Sequence, residues 1–199
     1  MKATIESYCK ALRLGQHIAQ NYQQVEADTH EEFLEQLLRM EVENRQIARK
    51  NRYLKQAGFE IQKTFDGYSF ERIQIPQAVN VEELKVGKFI ERKENLILYG
   101  PVGTGKTHLL TAIGVAACNR ELEVKFYRTL TLVNELVEAK ENGSLKRFLK
   151  KLRRYDLLIC DEWGYIPLDR EGAQLLFQVV AERYENKSIA LTTNLDFSQ

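Results

Sequence analysis

Hydrophobic and polar positions in the first 58 residues follow a helical pattern. This stretch contains no proline and is rich in Glu, Gln, Lys, Arg and Leu, a composition typical of helices. Residues 29–32 read Thr-His-Glu-Glu, a capping box that predicts the start of a helix, and we expect that helix to end at Gly58. Its apolar residues recur at spacings of one, three and four, and they are Phe33, Leu34, Leu37, Leu38 and Val42.

The pattern changes in the second half of the chain, where short apolar runs alternate with helical stretches. After Asn80 a helical pattern runs to about Glu91. Apolar runs of the kind that a sheet buries on both faces then span residues 95–99, 123–127, 156–160 and 188–193. The helices between them are expected at residues 107–119, 129–141 and 170–184, the last with an apolar face of Ala173, Phe177, Val180 and Tyr184. This alternation predicts an α/β fold with a parallel sheet covered on both sides.

An aromatic and glycine-containing loop over residues 64–76 separates the two patterns. We therefore place a domain boundary at its start. Residues 1–63 are expected to form a small all-helical domain for DNA or partner binding, and residues 64–199 to form the α/β core.

Length, charge and cysteine usage narrow the class of protein. The chain has 199 residues, with 29 Lys and Arg against 28 Asp and Glu, and a net charge of +1. No apolar run approaches the ~20 residues that span a bilayer, and the first ten residues are too polar for a signal peptide. We therefore expect a cytoplasmic protein with no membrane association. Because Cys9, Cys118 and Cys160 are far apart and odd in number, we expect buried thiols instead of a disulfide framework or a zinc cluster.

A glycine-rich loop follows the first predicted strand and precedes a predicted helix. Residues 100–107 fit the phosphate-loop pattern G-x-x-x-x-G-K-[ST], in which backbone N–H groups and the helix N-terminus face phosphate groups. We expect Lys106 to reach the β and γ phosphates of ATP, and the Thr107 hydroxyl to coordinate Mg²⁺. The predicted nucleotide-binding residues are Gly100, Pro101, Val102, Gly103, Thr104, Gly105, Lys106, Thr107 and His108.

Two adjacent carboxylates, Asp161 and Glu162, follow the third apolar run. We expect Asp161 to join Thr107 in holding Mg²⁺, and Glu162 to polarise water for attack on the γ phosphate. A water-activating acid at this place favours hydrolysis and counts against a small-molecule or nucleoside kinase. Asn194 follows the fourth run, which ends at the same sheet edge, so we expect it to reach the γ phosphate or the water.

The small net charge conceals two groups of basic residues. Residues 144–155 predict an amphipathic helix whose polar face contains no acid. Its basic residues are Lys146, Arg147, Lys150, Lys151, Arg153 and Arg154. A second group lies on the N-terminal helix and consists of Arg45, Arg49 and Arg52, diluted by nearby glutamates. We interpret both as contacts to the phosphate backbone of DNA, which makes binding salt-sensitive and weakly sequence-selective.

These motifs resemble the AAA+ ATPases of the IstB type, which assist insertion-sequence transposition and are related to DnaC helicase loaders and DnaA initiators. The resemblance covers nearly the whole chain. It rests on GPVGTGKTHL at residues 100–109, LICDEWGYIP at 158–167, LFQVVAERYE at 176–185 and TTN at 192–194. The segments AGF at residues 57–59 and KTFD at residues 63–66 are also similar to the N-terminal domain of that family.

The resemblance implies a P-loop AAA+ core that binds ATP at the subunit interfaces of an oligomer. It also implies an assembly that wraps and deforms duplex DNA, marks a target site, and recruits and stimulates a partner transposase. In related AAA+ proteins an extra helix between the second and third strands touches DNA, and the basic helix at residues 145–154 occupies that place. A DnaC-type helicase loader remains the alternative, because only some loaders carry the zinc module that this sequence lacks.

One departure concerns the C-terminal region. Members of the family continue past the Asn194 region into a helix with an arginine that completes the neighbour's active site, then a fifth strand and a lid. This sequence stops at Gln199, so we expect an ATPase core without that last strand and lid. Arg183 is not assigned the role of the missing arginine.

Overall fold

The computed structural model describes residues 1–71, 73–165 and 167–195 and divides the chain into two compact units. The first unit is Met1–Asn51, and the second begins at Arg52. This division lies before the boundary expected after residue 63. The physical reason is that Tyr53, Leu54 and Phe59 pack against the core of the second unit, in which Ala57 is fully buried.

The first unit is helical. It contains α1 (Lys2–Ala11), α2 (Gln16–Asn21), a 3-10 turn (Tyr22–Gln24) and most of α3 (His30–Ala57). The Thr29 hydroxyl accepts a hydrogen bond from the Glu32 N–H at 3.1 Å, as a capping box requires. The Glu32 carboxylate accepts from the N–H of Asp28, one residue earlier than in the standard motif.

The predicted apolar positions of α3 face two directions. Leu37 packs against a small core of Cys9, Ile18 and Ala19, whereas the side chains of Leu34, Leu38 and Val42 are more than half exposed. The sequence pattern missed a buried carboxylate on the inner face. Glu41 accepts the backbone N–H of Gly15 and pairs with Arg45, so the buried charge is compensated by charge-assisted hydrogen bonds.

The second unit contains a four-stranded parallel sheet. The strands are β1 (Leu96–Tyr99), β2 (Val124–Arg128), β3 (Leu157–Trp163) and β4 (Ser188–Thr193), and their order in the sheet is β1-β4-β3-β2. These are the four predicted apolar runs to within a few residues. The α/β fold class with a parallel sheet is therefore confirmed.

Helices cover both faces of this sheet. One face packs against α4 (Val81–Lys85), α5 (Lys88–Glu91) and α6 (Lys106–Asn119). The other packs against α7 (Thr129–Glu141), α8 (Leu145–Leu152) and α9 (Arg170–Arg183). The helix predicted up to Glu91 is broken at Gly87, which has a left-handed φ of 70° that favours glycine.

The predicted apolar face of α9 is wrong. Ala173 is exposed, as are Phe177 and Tyr184 at 72% and 64%, and Val180 is only partly buried. The residues that α9 buries are Gly172, Leu175, Leu176, Val179 and Arg183. Apolar residues lie on several sides of this helix. The side that packs in the core carries the aliphatic residues Leu175, Leu176 and Val179.

All three cysteines are buried and unpaired, as expected from their spacing. Burial raises the pKa of both Cys118 and Cys160 to about 12, so these thiols behave as small hydrophobic side chains. Within the described ranges, no helix is both long and apolar enough to cross a membrane.

Arg183 is a buried structural residue at the edge of the sheet where β3 and β4 begin. Its guanidinium donates to the carbonyl oxygens of Leu152 at 2.7 Å, Tyr155 at 3.0 Å and Ser188 at 2.8 Å. Burial lowers the pKa of Arg183 to about 10. These contacts join the end of α8 to the sheet, and they agree with the sequence interpretation that Arg183 is not an arginine finger.

Replacing Arg183 with methionine is expected to destabilise the protein by about 3 kcal/mol, because buried carbonyl oxygens lose their donor. Chemical denaturation monitored by circular dichroism measures this change. The matched control is Arg153→Met, which removes an exposed arginine paired with Glu182 and should leave the unfolding midpoint unchanged. Equal midpoints for Arg183→Met and the wild type would contradict the structural role.

Candidate functional site

The loop between β1 and α6 turns sharply at glycine. Gly103 and Gly105 have φ values of 81° and 84°, which L side chains rarely adopt. The N–H of Gly100 donates to the Thr193 carbonyl at 3.2 Å and ties the loop to the end of β4. The N-terminus of α6 begins directly after Gly105, so loop N–H groups and the helix dipole act on the same region.

A cavity of about 410 Å³ lies above this loop at the carboxyl edge of the sheet. It brings together all three predicted catalytic residues, Lys106, Glu162 and Asn194. Its lining is completed by Val102, Gly103, Thr104, Gly105, Thr107, Tyr165, Thr192 and Thr193. The sequence motifs predict the loop residues of this lining but indicate no role for Tyr165, Thr192 or Thr193. The Thr-Thr-Asn motif at residues 192–194 contains Thr192 and Thr193, and it is the one sequence signal that points to either of them.

Three predicted nucleotide-binding residues are not among those that line the cavity. Gly100 and Pro101 contact the cavity-lining Lys106 instead, since their carbonyl oxygens accept hydrogen bonds from its Nζ at 2.6 and 2.8 Å. The His108 ring lies against Tyr68, with ring centroids 4.9 Å apart, and its Nε2 is 2.9 Å from the Thr64 carbonyl oxygen.

The Lys106 side chain is held against the loop by its hydrogen bonds to the carbonyl oxygens of Gly100 and Pro101. Partial burial lowers its pKa, and the negative charge of Asp161 partly opposes that change. Phosphate oxygens are charged acceptors and bind an ammonium group more strongly than neutral carbonyls do. The position of Lys106 therefore suits a phosphate-binding residue.

Asp161 is the buried carboxylate of the site, only 4% exposed. Its Oδ1 accepts the Thr107 hydroxyl at 3.1 Å and also accepts the Thr192 hydroxyl. The Thr129 hydroxyl donates to the Asp161 backbone carbonyl at 2.8 Å and fixes the end of β3. A hydroxyl and a carboxylate in contact are hard oxygen donors, so the pair formed by Thr107 and Asp161 fits a Mg²⁺ ion.

Glu162 has a left-handed backbone, with φ of 60°. Its N–H donates to the Thr192 hydroxyl at 3.0 Å, which holds this unusual turn. The side chain is half exposed and lines the cavity, where it can contact water. The two adjacent carboxylates therefore differ in exposure, Asp161 being buried and Glu162 half exposed.

The predicted basic residues lie on α8 and on the two residues that follow its end at Leu152, and together they form an exposed face, called here the basic face of α8. Leu149 and Leu152 are buried beneath it. Arg153 pairs with Glu182 of α9 at 2.8 Å. The exposed residues of this basic face are Lys146, Arg147, Lys150, Lys151, Arg153 and Arg154.

The second predicted basic group, Arg45, Arg49 and Arg52, includes side chains that contact other groups of the protein. Arg45 pairs with Glu41 at 2.6 Å and also donates to the Arg13 carbonyl. The Arg52 guanidinium lies over the Tyr53 ring, 5.3 Å from its centroid. Arg49 is exposed.

The model of the IstB-like ATP binding protein family matches residues 7–199. The chain belongs to this family. An ATP-binding protein of insertion sequence IS5376 from Geobacillus stearothermophilus is 36% identical over 204 residues, covering 100% of this chain and 81% of the relative. An ATP-binding protein of insertion sequence IS21 from Pseudomonas aeruginosa is 39% identical over 169 residues. The match covers 85% of this chain and 64% of that relative.

Solved structures share the fold of this IstB-like chain. The DnaC helicase loader matches with a TM-score of 0.54 and 24% identity, covering 73% of this chain and 80% of the loader. AMPPCP-bound DnaA from Aquifex aeolicus matches with a TM-score of 0.52 and 25% identity, covering 65% of this chain and 42% of DnaA. The chain is thus an ATP-binding ATPase with a P-loop AAA+ fold, which confirms the resemblance drawn from its motifs.

Proposed function

We propose that this IstB-like ATPase is an ATP-dependent helper of transposition. It binds and oligomerises on duplex DNA, remodels the DNA, selects the target site, and recruits and stimulates a partner transposase. The observation that carries the DNA-binding part is the exposed basic face of α8, attached to the same unit as the ATP site. The names of the insertion-sequence relatives support the link to transposition.

The residues of the cavity have distinct roles in the proposed hydrolysis. The loop N–H groups and Lys106 bind the β and γ phosphates, and Glu162 accepts a proton from the attacking water. Asn194 contacts the γ phosphate or the water. Thr107 and Asp161 would hold Mg²⁺, which supplies positive charge to the phosphate oxygens.

DNA binding by α8 is expected to be mainly electrostatic. Its basic residues suit contacts to phosphate oxygens, which release counterions and give salt-dependent affinity without direct sequence readout. The second basic group of Arg45, Arg49 and Arg52 remains a proposed set of DNA contacts, and the guanidinium of Arg45 also pairs with Glu41.

Reversing the charge of Lys150, Lys151 and Arg154 to glutamate is expected to weaken duplex binding about 100-fold at low salt. The slope of the logarithm of the binding constant against the logarithm of salt concentration should become shallower by about two to three, because up to three phosphate contacts are lost. Arg153 is left intact to preserve its pair with Glu182. Fluorescence anisotropy with a labelled duplex at several salt concentrations measures both quantities.

The matched control reverses three exposed lysines outside α8, Lys63, Lys88 and Lys93, which changes the net charge by the same amount. It should retain most of the affinity. Equal losses in the two variants would show that net charge, and not the face of α8, controls binding. Unchanged affinity in the α8 variant would make that face a solvated surface only.

The alternative is a replicative helicase loader. Its support is the fold that this chain shares with the DnaC helicase loader. Electron microscopy of the protein with duplex DNA, with and without ATP, separates the two functions. An assembly that wraps DNA only with ATP supports the transposition helper. A ring that forms only around a hexameric helicase supports the loader and contradicts the proposal.

A further inference from the structure

The guanidinium of Arg128 lies between two carboxylates. Arg128 is the last residue of β2, and its register partner on β3 is Asp161. Its Nε and Nη2 donate to the two carboxylate oxygens of Glu60 at 2.7 and 2.8 Å. Its Nη1 lies 3.7 Å from Glu162 Oε2, beyond a good hydrogen bond. Glu60 therefore holds Arg128 more tightly than Glu162 does.

Two cavities border Glu162. One is the cavity above the phosphate loop, of about 410 Å³. The other, of about 340 Å³, is lined by Arg128, Glu162, Tyr165 and neighbouring residues. The half-exposed Glu162 side chain therefore has space on both sides, toward the phosphate loop or toward Arg128.

We propose that Glu60 is a positioning residue for ATP hydrolysis: by binding Arg128 bidentately, it leaves the Glu162 carboxylate free to serve the attacking water. The pair with Glu60 engages Nε and Nη2 of Arg128 and fixes the guanidinium with Nη1 at 3.7 Å from Glu162, too far for a good hydrogen bond. When Glu60 is withdrawn, Arg128 pairs with Glu162 and draws it toward the second cavity. This inference rests on the proposed catalytic role of Glu162.

The segment that carries Glu60 is attached to β2. The Phe59 ring packs on Phe126, with centroids 5.9 Å apart, and Lys125 Nζ donates to the Gln56 carbonyl at 3.4 Å. Hydrogen bonding from Arg128, and to a lesser extent its charge, lowers the pKa of Glu60, which agrees with a close ion pair. Glu60 follows the C-terminus of α3. In this proposal, a displacement of residues 56–60 changes how Arg128 divides its contacts between Glu60 and Glu162, and this changes the rate of hydrolysis.

The test is steady-state ATP hydrolysis by the full chain carrying Glu60→Gln, Arg128→Gln or both. Glu60→Gln is expected to lower kcat about five-fold, since Arg128 then engages Glu162. The KM for ATP should stay within about two-fold, because the phosphate loop is untouched. Arg128→Gln should keep or raise kcat, and adding Glu60→Gln to it should have no further effect.

The matched control is Glu83→Gln, because Glu83 and Glu94 also share one exposed arginine, Arg92, and these residues do not line the cavity. It should hydrolyse ATP at the wild-type rate. Wild-type kcat in Glu60→Gln would overturn the inference, as would an equal loss with and without Arg128. Glu162→Gln is the reference: if it hydrolyses ATP normally, the proposed function of Glu162 fails, whatever Glu60 does.

Discussion

Replacing Lys106 with alanine is expected to weaken ATP binding by at least about 100-fold and to abolish ATP-dependent assembly. The physical reason is the loss of a charged donor to two phosphates, worth about 3 kcal/mol. Lys106 already lies at the loop, with its Nζ 2.6 Å from the Gly100 carbonyl oxygen. Titration with a fluorescent ATP analogue measures the affinity, and light scattering with and without ATP measures the assembly.

The matched control for this experiment is Lys88→Ala, which removes an exposed lysine outside the cavity and should leave ATP affinity unchanged. Thermal melting of each variant without nucleotide checks that the fold is retained. A Lys106→Ala protein that binds ATP as tightly as the wild type, and assembles to the same size, would contradict the phosphate-loop assignment.

The phosphate loop could be predicted because its chemistry is encoded in consecutive residues. A strand, residues 100–107 and a helix follow one another, so no distant contact is needed to place Lys106 and Thr107 together. The meeting of β3 and β4 with this loop could also be inferred, because parallel strands end at one edge. This rule correctly places Glu162 and Asn194 on the same cavity.

Contacts between distant residues could not be predicted in this way. Glu60 and Arg128 are 68 positions apart, and neither belongs to a motif. The buried Glu41 is similar, because one of its partners, the Gly15 N–H, lies at the N-cap of α2 and far from Glu41 along the chain. A single sequence shows that such residues are polar, but only the packed structure shows which polar groups compensate each other.

The exposed face of α9 shows a further limit of sequence patterns. Phe177 and Tyr184 fall at helical spacing, yet Leu175, Leu176 and Val179 are the residues that pack on the sheet. Periodicity detects that a helix is amphipathic, but it cannot choose between two apolar faces. The choice depends on which side chains fill the space between α9, α7 and the sheet.

Replacing Glu162 with glutamine is expected to lower kcat for ATP hydrolysis about 100-fold or more, with ATP affinity within about two-fold of the wild type. Glutamine has nearly the same shape as glutamate but is a much weaker proton acceptor, so only the proposed transfer from water is lost. Because ATP remains bound, the DNA-bound assembly should persist. Phosphate release under single-turnover conditions measures the chemical step, and sedimentation with labelled duplex measures the assembly.

The matched control is Glu185→Gln, because Glu185 is also an exposed glutamate with a left-handed φ of 60°, but it does not line the cavity. It should retain the wild-type kcat, which separates the chemistry of Glu162 from any effect of its backbone conformation. Unchanged or faster turnover in Glu162→Gln would exclude its role as the general base. A loss of ATP binding along with kcat would indicate damage to the site instead, so retained affinity together with slow hydrolysis is the result that identifies the base.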